Sequence, residues 1–286
     1  MSVKAWLLAA RPKTLSASIA PVLVGTGLAF HIRHRVPWIY AADALFSALF
    51  IQVATNLIND ALDFKKGTDT SERLGPVRAT QAGLLSANAV MLGAYVCLFL
   101  AALLGVPLIV RGGWPILAIG IASMIAAYAY TGGPYPLAYH GLGELFVMIF
   151  FGIVAVGGTY YVLTLQYAME AFLCGIAIGS LAVVILAINN LRDIEGDRAS
   201  NKKTIAVRLG ERGARTEIVL FVVLAYVAIA FVAPLVLLSL PLAIVLIVRV
   251  YRSSGRELNR CLAMAGALEM VFSLLFLVIC GFTGTR

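Results

Sequence analysis

Charge is scarce in this chain. Of its 286 residues only 13% are charged, while 61% are hydrophobic and the mean hydropathy is +0.95. Soluble domains carry about 25% charged residues, so there is too little polar material here to cover a water-facing surface. A soluble globular protein is excluded. Histidine is almost missing: only His31, His34 and His140 occur, and no two pair within a helix, which argues against a haem-bearing electron carrier. The four cysteines, Cys97, Cys174, Cys261 and Cys280, fall singly inside apolar segments. They read as small core or lipid-facing residues with no disulfide or metal role. The period-two alternation that barrel strands require is lacking too. In its place stand long unbroken apolar runs, and a chain that must satisfy its own backbone in lipid then has to be helical.

The apolar runs predict nine transmembrane helices, near 13–31, 38–58, 84–108, 114–132, 142–164, 169–191, 215–233, 235–251 and 262–282. Most approach the roughly 20 residues that a crossing needs. The expected architecture is an all-α integral membrane bundle, one domain spanning 1–286. Trp6, Trp38 and Trp114 fall near predicted helix ends, as interfacial aromatics do. The opening MSVKAWLLAARPKTL has the look of a signal peptide, but its apolar piece is short and Arg11-Pro12-Lys13 interrupts it, so no cleavage is expected. The net charge of +8 reads as the basic loops of a membrane protein and not as a nucleic-acid surface. With a cytoplasmic N-terminus, 18 of the 22 lysines and arginines lie on the cytoplasmic side. Helix centres are expected to be nearly free of charge, with Asp43 and Glu269 toward predicted ends. That argues against a secondary transporter, whose ionisable groups sit near the bilayer midplane.

What charge there is gathers in two places. NDALDFKKGTDT (59–70) and NNLRDIEGDRASNKKT (189–204) each follow an apolar run, lead into a basic segment and precede another apolar helix. This weak internal repeat would bring both motifs across one cavity. Asn59 and Asp63 are four apart, as are Asn189, Asp193 and Asp197. On a continuous helix each set would share one face near the helix end. Carboxylates so placed repel one another, and a helix C-terminus disfavours anions further. A cation between them resolves the conflict, and with oxygen ligands alone the expected ion is Mg2+. Lys65, Lys66, Arg73 and Arg78 follow the first cluster; Arg198, Lys202, Lys203 and Arg208 follow the second. Carboxylates and cations mixed this way suit a metal-bridged diphosphate. The plainer alternative is a pair of solvated loops touching lipid headgroups. A diphosphate beside so apolar a bundle implies a long apolar tail, as on an isoprenoid. Allylic diphosphates ionise where metals and basic groups stabilise the leaving group. Tyr128, Tyr130, Tyr135 and Tyr139 around the end of the fourth predicted helix could face the resulting cation.

These residues resemble the UbiA superfamily of intramembrane aromatic prenyltransferases: NDALDFKKGTD its first aspartate-rich motif, NNLRDIEGDR its second. RPKTLSASIAPVLVG, RLGPVRATQAG and PLAYHGLGE are similar to its menaquinone branch, and together the matching stretches span residues 11 to 210. The resemblance implies nine helices around a central cavity with cytoplasmic cap loops, Mg2+ as cofactor, a polyprenyl diphosphate donor and 1,4-dihydroxy-2-naphthoate as acceptor. Carried onto this sequence, the metal-binding aspartates are Asp60, Asp63, Asp69, Asp193 and Asp197, with Asn59 and Asn189 beside them. Asp63, Asp193, Lys65 and Arg192 are expected at the reacting diphosphate, and Lys66, Arg73, Arg78, Lys202 and Lys203 around it. Arg11, Lys13, His140 and Glu144 are candidates for the acceptor. The pattern departs at one point: Gly67 stands four after Asp63 where the superfamily has an aspartate, and Asp69 takes that place. Other aromatic acceptors, such as 4-hydroxybenzoate or homogentisate, and phytyl donors remain alternatives.

Overall fold

The computed structural model describes residues 2–67 and 74–283, with side chains through residue 281. Among them every regular element is helical. The chain opens with α1 (Val3–Ala10) and a 3-10 turn (Pro12–Thr14), then bends by 50° into α2 (Ser16–Arg33). The break follows from the sequence: a residue before proline avoids helical backbone, and Arg11 adopts a left-handed conformation with φ 51°. Next come α3 (Trp38–Lys65), α4 (Ala87–Gly112) and α5 (Trp114–Ala129). The following span runs continuously through α6 (Gly143–Val147), a π-helical segment (Met148–Val154) and α7 (Ala155–Thr164). After α8 (Met169–Arg192) and the short α9 (Ile194–Ala199) come α10 (Ile205–Ala230), α11 (Leu240–Arg252) and α12 (Leu258–Thr283).

Seven of these helical segments are long and apolar enough to cross a bilayer, and the bent α1–α2 pair makes an eighth. The ninth expected crossing, α5, has 16 residues. At about 1.5 Å per residue it falls short of a ~30 Å hydrocarbon layer. Several boundaries also move. The helix expected to stop at 58 continues to Lys65, and α10 starts ten residues early, at Ile205. Thr204 caps α10 by accepting from Val207 N, and the helix kinks at Gly210. Finally, α12 begins at Leu258, not 262. The longer helices overturn the expectation of charge-free centres. Glu217 and Glu269 now lie well inside α10 and α12, and both are buried.

The bundle is organised around α8. Of its most apolar window 72% is buried, against 17–44% in the other spans. Small residues allow that close approach. A Cβ on Gly152 would lie 2.3 Å from the Gly175 carbonyl and 2.6 Å from the Gly179 Cα. The π-helical segment therefore crosses α8 backbone to backbone, as small residues permit in membrane bundles. The two most extensive helix contacts are α3 on α4 and α8 on α10. The two charged motifs begin in the last turns of α3 and α8 and run on toward α4 and α10.

Candidate active site

Because α3 runs on to Lys65, the first motif occupies its last two turns. Asp60 and Asp63 are buried there, where a helix end offers carbonyls and no donors. Each carboxylate is compensated from elsewhere in the chain, and in different ways. Asp60 accepts from Ala79 N (3.2 Å), Thr80 N (3.4 Å) and, at close range, Thr80 Oγ1. It pins the segment following the motif. Asp63 faces the cations: Arg78 Nη2 lies 3.1 Å from its Oδ2, and Lys202 Nζ lies 3.6 Å from its Oδ1. Tyr139 donates its phenolic hydrogen to the same Oδ1 at 3.0 Å. The ammonium groups of Lys66 and Lys202 lie over the Tyr139 ring at 4.4 and 4.8 Å. Lys66 also donates to Thr131 O at 2.6 Å, and Thr131 Oγ1 bonds Asn59 Oδ1. Partial burial pushes the Lys66 pKa below the ordinary lysine value; Asp63 opposes that shift and Lys202 adds to it.

The second motif is built differently. A continuous helix was expected to line up Asn189, Asp193 and Asp197, but α8 ends at Arg192 and Asp193 leaves helical geometry (φ −97°, ψ 10°) before α9 begins. Backbone bonds from Asp193 N to Asn189 O (3.1 Å) and from Asp197 N to Asp193 O (2.8 Å) still carry the four-residue spacing across the break. Arg192 gathers the side chains of the site. Its buried guanidinium donates Nε to Asp193 Oδ1 (2.8 Å) and Nη2 to both Asp193 Oδ2 and Asn189 Oδ1 (2.7 Å for the latter). Nη1 reaches Asn259 Oδ1 at 2.8 Å. Asp197 lies one turn on, its carbonyl accepting from Lys202 N at 2.8 Å. Lys202 thus joins the second motif's segment to Asp63 of the first.

The remaining candidates divide. Tyr130 lies beside the start of α6, where a Cβ on Gly143 would come within 3.3 Å of its hydroxyl, and its carbonyl accepts from Ala138 N at 2.9 Å. Glu144 is buried and accepts from Asn190 Nδ2 at 2.8 Å. Tyr135 and His140 stack on each other with centroids 3.6 Å apart, and His140 Nδ1 lies 2.8 Å from Pro136 O. These contacts brace their own loop; Arg208 adds a bond to the His140 carbonyl. Tyr128, Lys13, Lys65 and Lys203 are exposed, although Lys203 N donates to Tyr139 O. A cavity of about 210 Å³ opens here, lined by Pro136, Tyr139, His140, Asn201 and Lys203. Asp69 and Arg73 lie outside the described residues. Two contributors do not stand out in the sequence. Tyr139 is one aromatic among several, and Asn259 gives no signal at all.

Among the described residues no three His, Cys, Asp or Glu side chains converge as a metal cage. The donor chemistry still suits a hard cation. Mg2+ takes one or two carboxylates together with phosphate oxygens and water. A carboxylate offers about four lone-pair sites, so Asp63 and Asp193 can serve a cation as well as protein donors.

Comparison with known proteins fits this geometry. The UbiA prenyltransferase family model matches residues 18–277. A 1,4-dihydroxy-2-naphthoate octaprenyltransferase of Haemophilus influenzae is 34% identical over 291 residues, covering 96% of this chain and 94% of the relative. One from Mycobacterium tuberculosis is 40% identical over 210 residues, covering 73% and 71%. The solved structure of a UbiA homolog from Archaeoglobus fulgidus bound to DMAPP and Mg2+ superimposes with a TM-score of 0.70 at 18% identity, over 96% of this chain and 99% of that one; the likeness extends the match to the fold. With two aspartate motifs brought together at one end of an all-helical membrane bundle, the chain belongs to the UbiA prenyltransferase family.

Proposed function

We propose that this protein transfers a polyprenyl group from an allylic polyprenyl diphosphate to 1,4-dihydroxy-2-naphthoate, with loss of the carboxylate. The observation that carries the reading is the meeting of both motifs at Asp63, where Arg78 and Lys202 converge from segments 15 and 139 residues away. The 34–40% identity to naphthoate octaprenyltransferases supports the choice of acceptor.

In this reading Lys66, Arg78 and Lys202 take the non-bridging oxygens of the donor diphosphate. When bound, Mg2+ supplies a Lewis acid that takes up the charge on the departing diphosphate. Asp63 and Asp193 would hold it, with Asp197, Asp69, Asn59 and Asn189 as further oxygen donors. Asp60 is fully enclosed, and its carboxylate is directed at the Ala79 and Thr80 donors and not at the basic side chains around Asp63, so it takes the part of a support for the site. The allylic C–O bond breaks, its electron pair leaving with diphosphate. The apolar bundle keeps water from the allylic cation, and the Tyr130 ring offers its face to the positive charge. A C–C bond then forms at the ring carbon bearing the carboxylate. The C–CO2 bond breaks, its electron pair returning to the ring, and a demethylmenaquinol-type product results. Glu144, buried beside Asn190, and Arg11 serve the acceptor's hydroxyl and carboxylate. The excess of lysine and arginine at this end supports a multi-pass protein of the cytoplasmic membrane with its site facing the cytoplasm.

The test is direct. Purified protein is incubated with Mg2+, dihydroxynaphthoate and donors of several prenyl lengths, and the products are identified by mass. A decarboxylated prenyl-naphthoquinol is expected. Turnover of 4-hydroxybenzoate with none of the naphthoate would overturn the acceptor assignment.

A further inference from the structure

Asn259 lies in the first turn of α12, outside both aspartate motifs. Its amide is nevertheless used in three directions. Oδ1 accepts from Arg192 Nη1 at 2.8 Å, while Nδ2 donates to Leu74 O and to Arg256 O, each at 3.0 Å. Two carbonyls demand a donor and a guanidinium demands an acceptor, so one orientation of the amide satisfies all three. Arg192 is the residue that holds Asp193 and Asn189. Leu74 begins the segment that carries Arg78, the partner of Asp63, and Ala79 and Thr80, the partners of Asp60. A single side chain therefore touches the support of each half of the site.

Resting on the proposed function, we infer that Asn259 is a positioning residue that sets the spacing between the two metal–diphosphate half-sites. On one side it fixes Arg192, and through it the direction of the Asp193 carboxylate. On the other it fixes the start of the 74–80 segment, and through it the reach of Arg78. Neither half is held to the other by this route without the amide. Aspartate at 259 keeps the acceptor for Arg192 but sets a carboxylate against two carbonyl oxygens. It releases the Leu74 side alone. Leucine, nearly the same size, releases both.

The experiment compares full-length wild type with Asn259→Asp and Asn259→Leu, reading three quantities. Hydrogen–deuterium exchange of the 74–80 segment is measured without Mg2+, the Mg2+ half-saturation of prenyl transfer with it, and the melting temperature in both. Both variants are expected to exchange faster across 74–80. Both are also expected to need more Mg2+, by about tenfold or more, as when outer-shell partners of a metal site are removed. Activity should return largely at saturating Mg2+ in Asn259→Asp. Exchange at wild-type rate across 74–80, or a lowered melting temperature with unchanged Mg2+ half-saturation, would overturn the inference and leave Asn259 a packing residue. Failure of the wild type to prenylate any aromatic would instead overturn the proposed function, and the metal-free exchange would still judge the tether.

Discussion

Tyr139 donates its phenolic hydrogen to Asp63 at 3.0 Å, and Lys66 and Lys202 hold their ammonium groups over its ring. One side chain thus orients the first motif's carboxylate and gathers a cation from each motif. The phenol constrains Asp63 without neutralising it, leaving the oxygen able to accept a second partner. The ring faces favour the lysines' charge. Tyr139→Phe separates the two roles, since it keeps the ring and removes the donor. Hydrogen bonds to charged groups are worth about 1.5–3 kcal/mol, so kcat/KM for the donor should fall by about ten- to a hundredfold. Tyr139→Ala should fall further. Steady-state transfer kinetics decide it, and wild-type rates in Tyr139→Phe would remove the orienting role.

Asp60 and Asp63 sit three residues apart on one buried helix end, yet only substitution of Asp63 should reach catalysis. Asp60 directs its oxygens to Ala79 and Thr80. An amide there would face backbone N–H groups with its own N–H, so Asp60→Asn should lose about 1–3 kcal/mol of stability. It should leave a Mg2+ requirement close to that of wild type. Asp63→Asn takes the charged carboxylate from beside the buried Arg78 guanidinium, so it should also melt below wild type. In addition it should raise the Mg2+ requirement and lose about 10²–10³-fold in kcat, the loss typical of removing one preorganised electrostatic group. Thermal melts read beside Mg2+ titrations separate the two. Equal effects on both observables in both variants would contradict the division of labour.

Lys66 gives the pH dependence a sign. Burial lowers its pKa from 10.5, the Lys202 charge lowers it further, and Asp63 only partly offsets them. A lowered pKa means that the ammonium loses its proton sooner as pH rises, and with it one charge for the diphosphate. The kcat/KM profile, which reports the free enzyme, should therefore decline on the alkaline side below the ordinary lysine range. In Lys66→Arg the guanidinium stays charged, so that limb should move to higher pH. An alkaline limb unmoved by the substitution would assign it to another group.

How much of this was legible in the sequence depends on how far each contact reaches. The fold class followed from apolar runs, and the two charged motifs stood out because the chain has so little charge elsewhere. Helix ends were less legible, because Asp60 and Asp63 looked like the start of a loop. Only their burial against Arg78, Ala79, Thr80 and Lys202 lets α3 continue past residue 58. Spacing located both carboxylate sets, but the contact that fixes the Asp193 carboxylate, the Arg192 guanidinium beside the end of α8, is not encoded in any four-residue period. Asn259 was invisible for a plainer reason. Its partners Arg192 and Leu74 lie 67 and 185 residues away, and no local pattern encodes an amide that acts at that distance.

Gly67 explains why this chain departs from the superfamily pattern at the fourth residue after Asp63. It follows the last turn of α3 with φ +69°, and its N–H bonds Phe64 O. That is the left-handed residue that commonly ends a helix, a place glycine fills without a Cβ penalty. An aspartate four after Asp63 would need the helix to continue, whereas this helix stops and the next aspartate, Asp69, comes two residues later. Open space surrounds the position, and a Cβ added there would meet no atom within 4 Å, so any cost of substitution is backbone strain alone. Gly67→Ala should lose about 1–2 kcal/mol, seen as a lower melting temperature. Gly67→Asn, which tolerates this conformation better, should lose less. Gly67→Asp should behave like alanine in stability and should not restore transfer to an Asp69→Ala variant, because the turn directs position 67 away from helix geometry. Rescue of Asp69→Ala by Gly67→Asp would show that the helix can extend, and that the departure is one of sequence and not of structure.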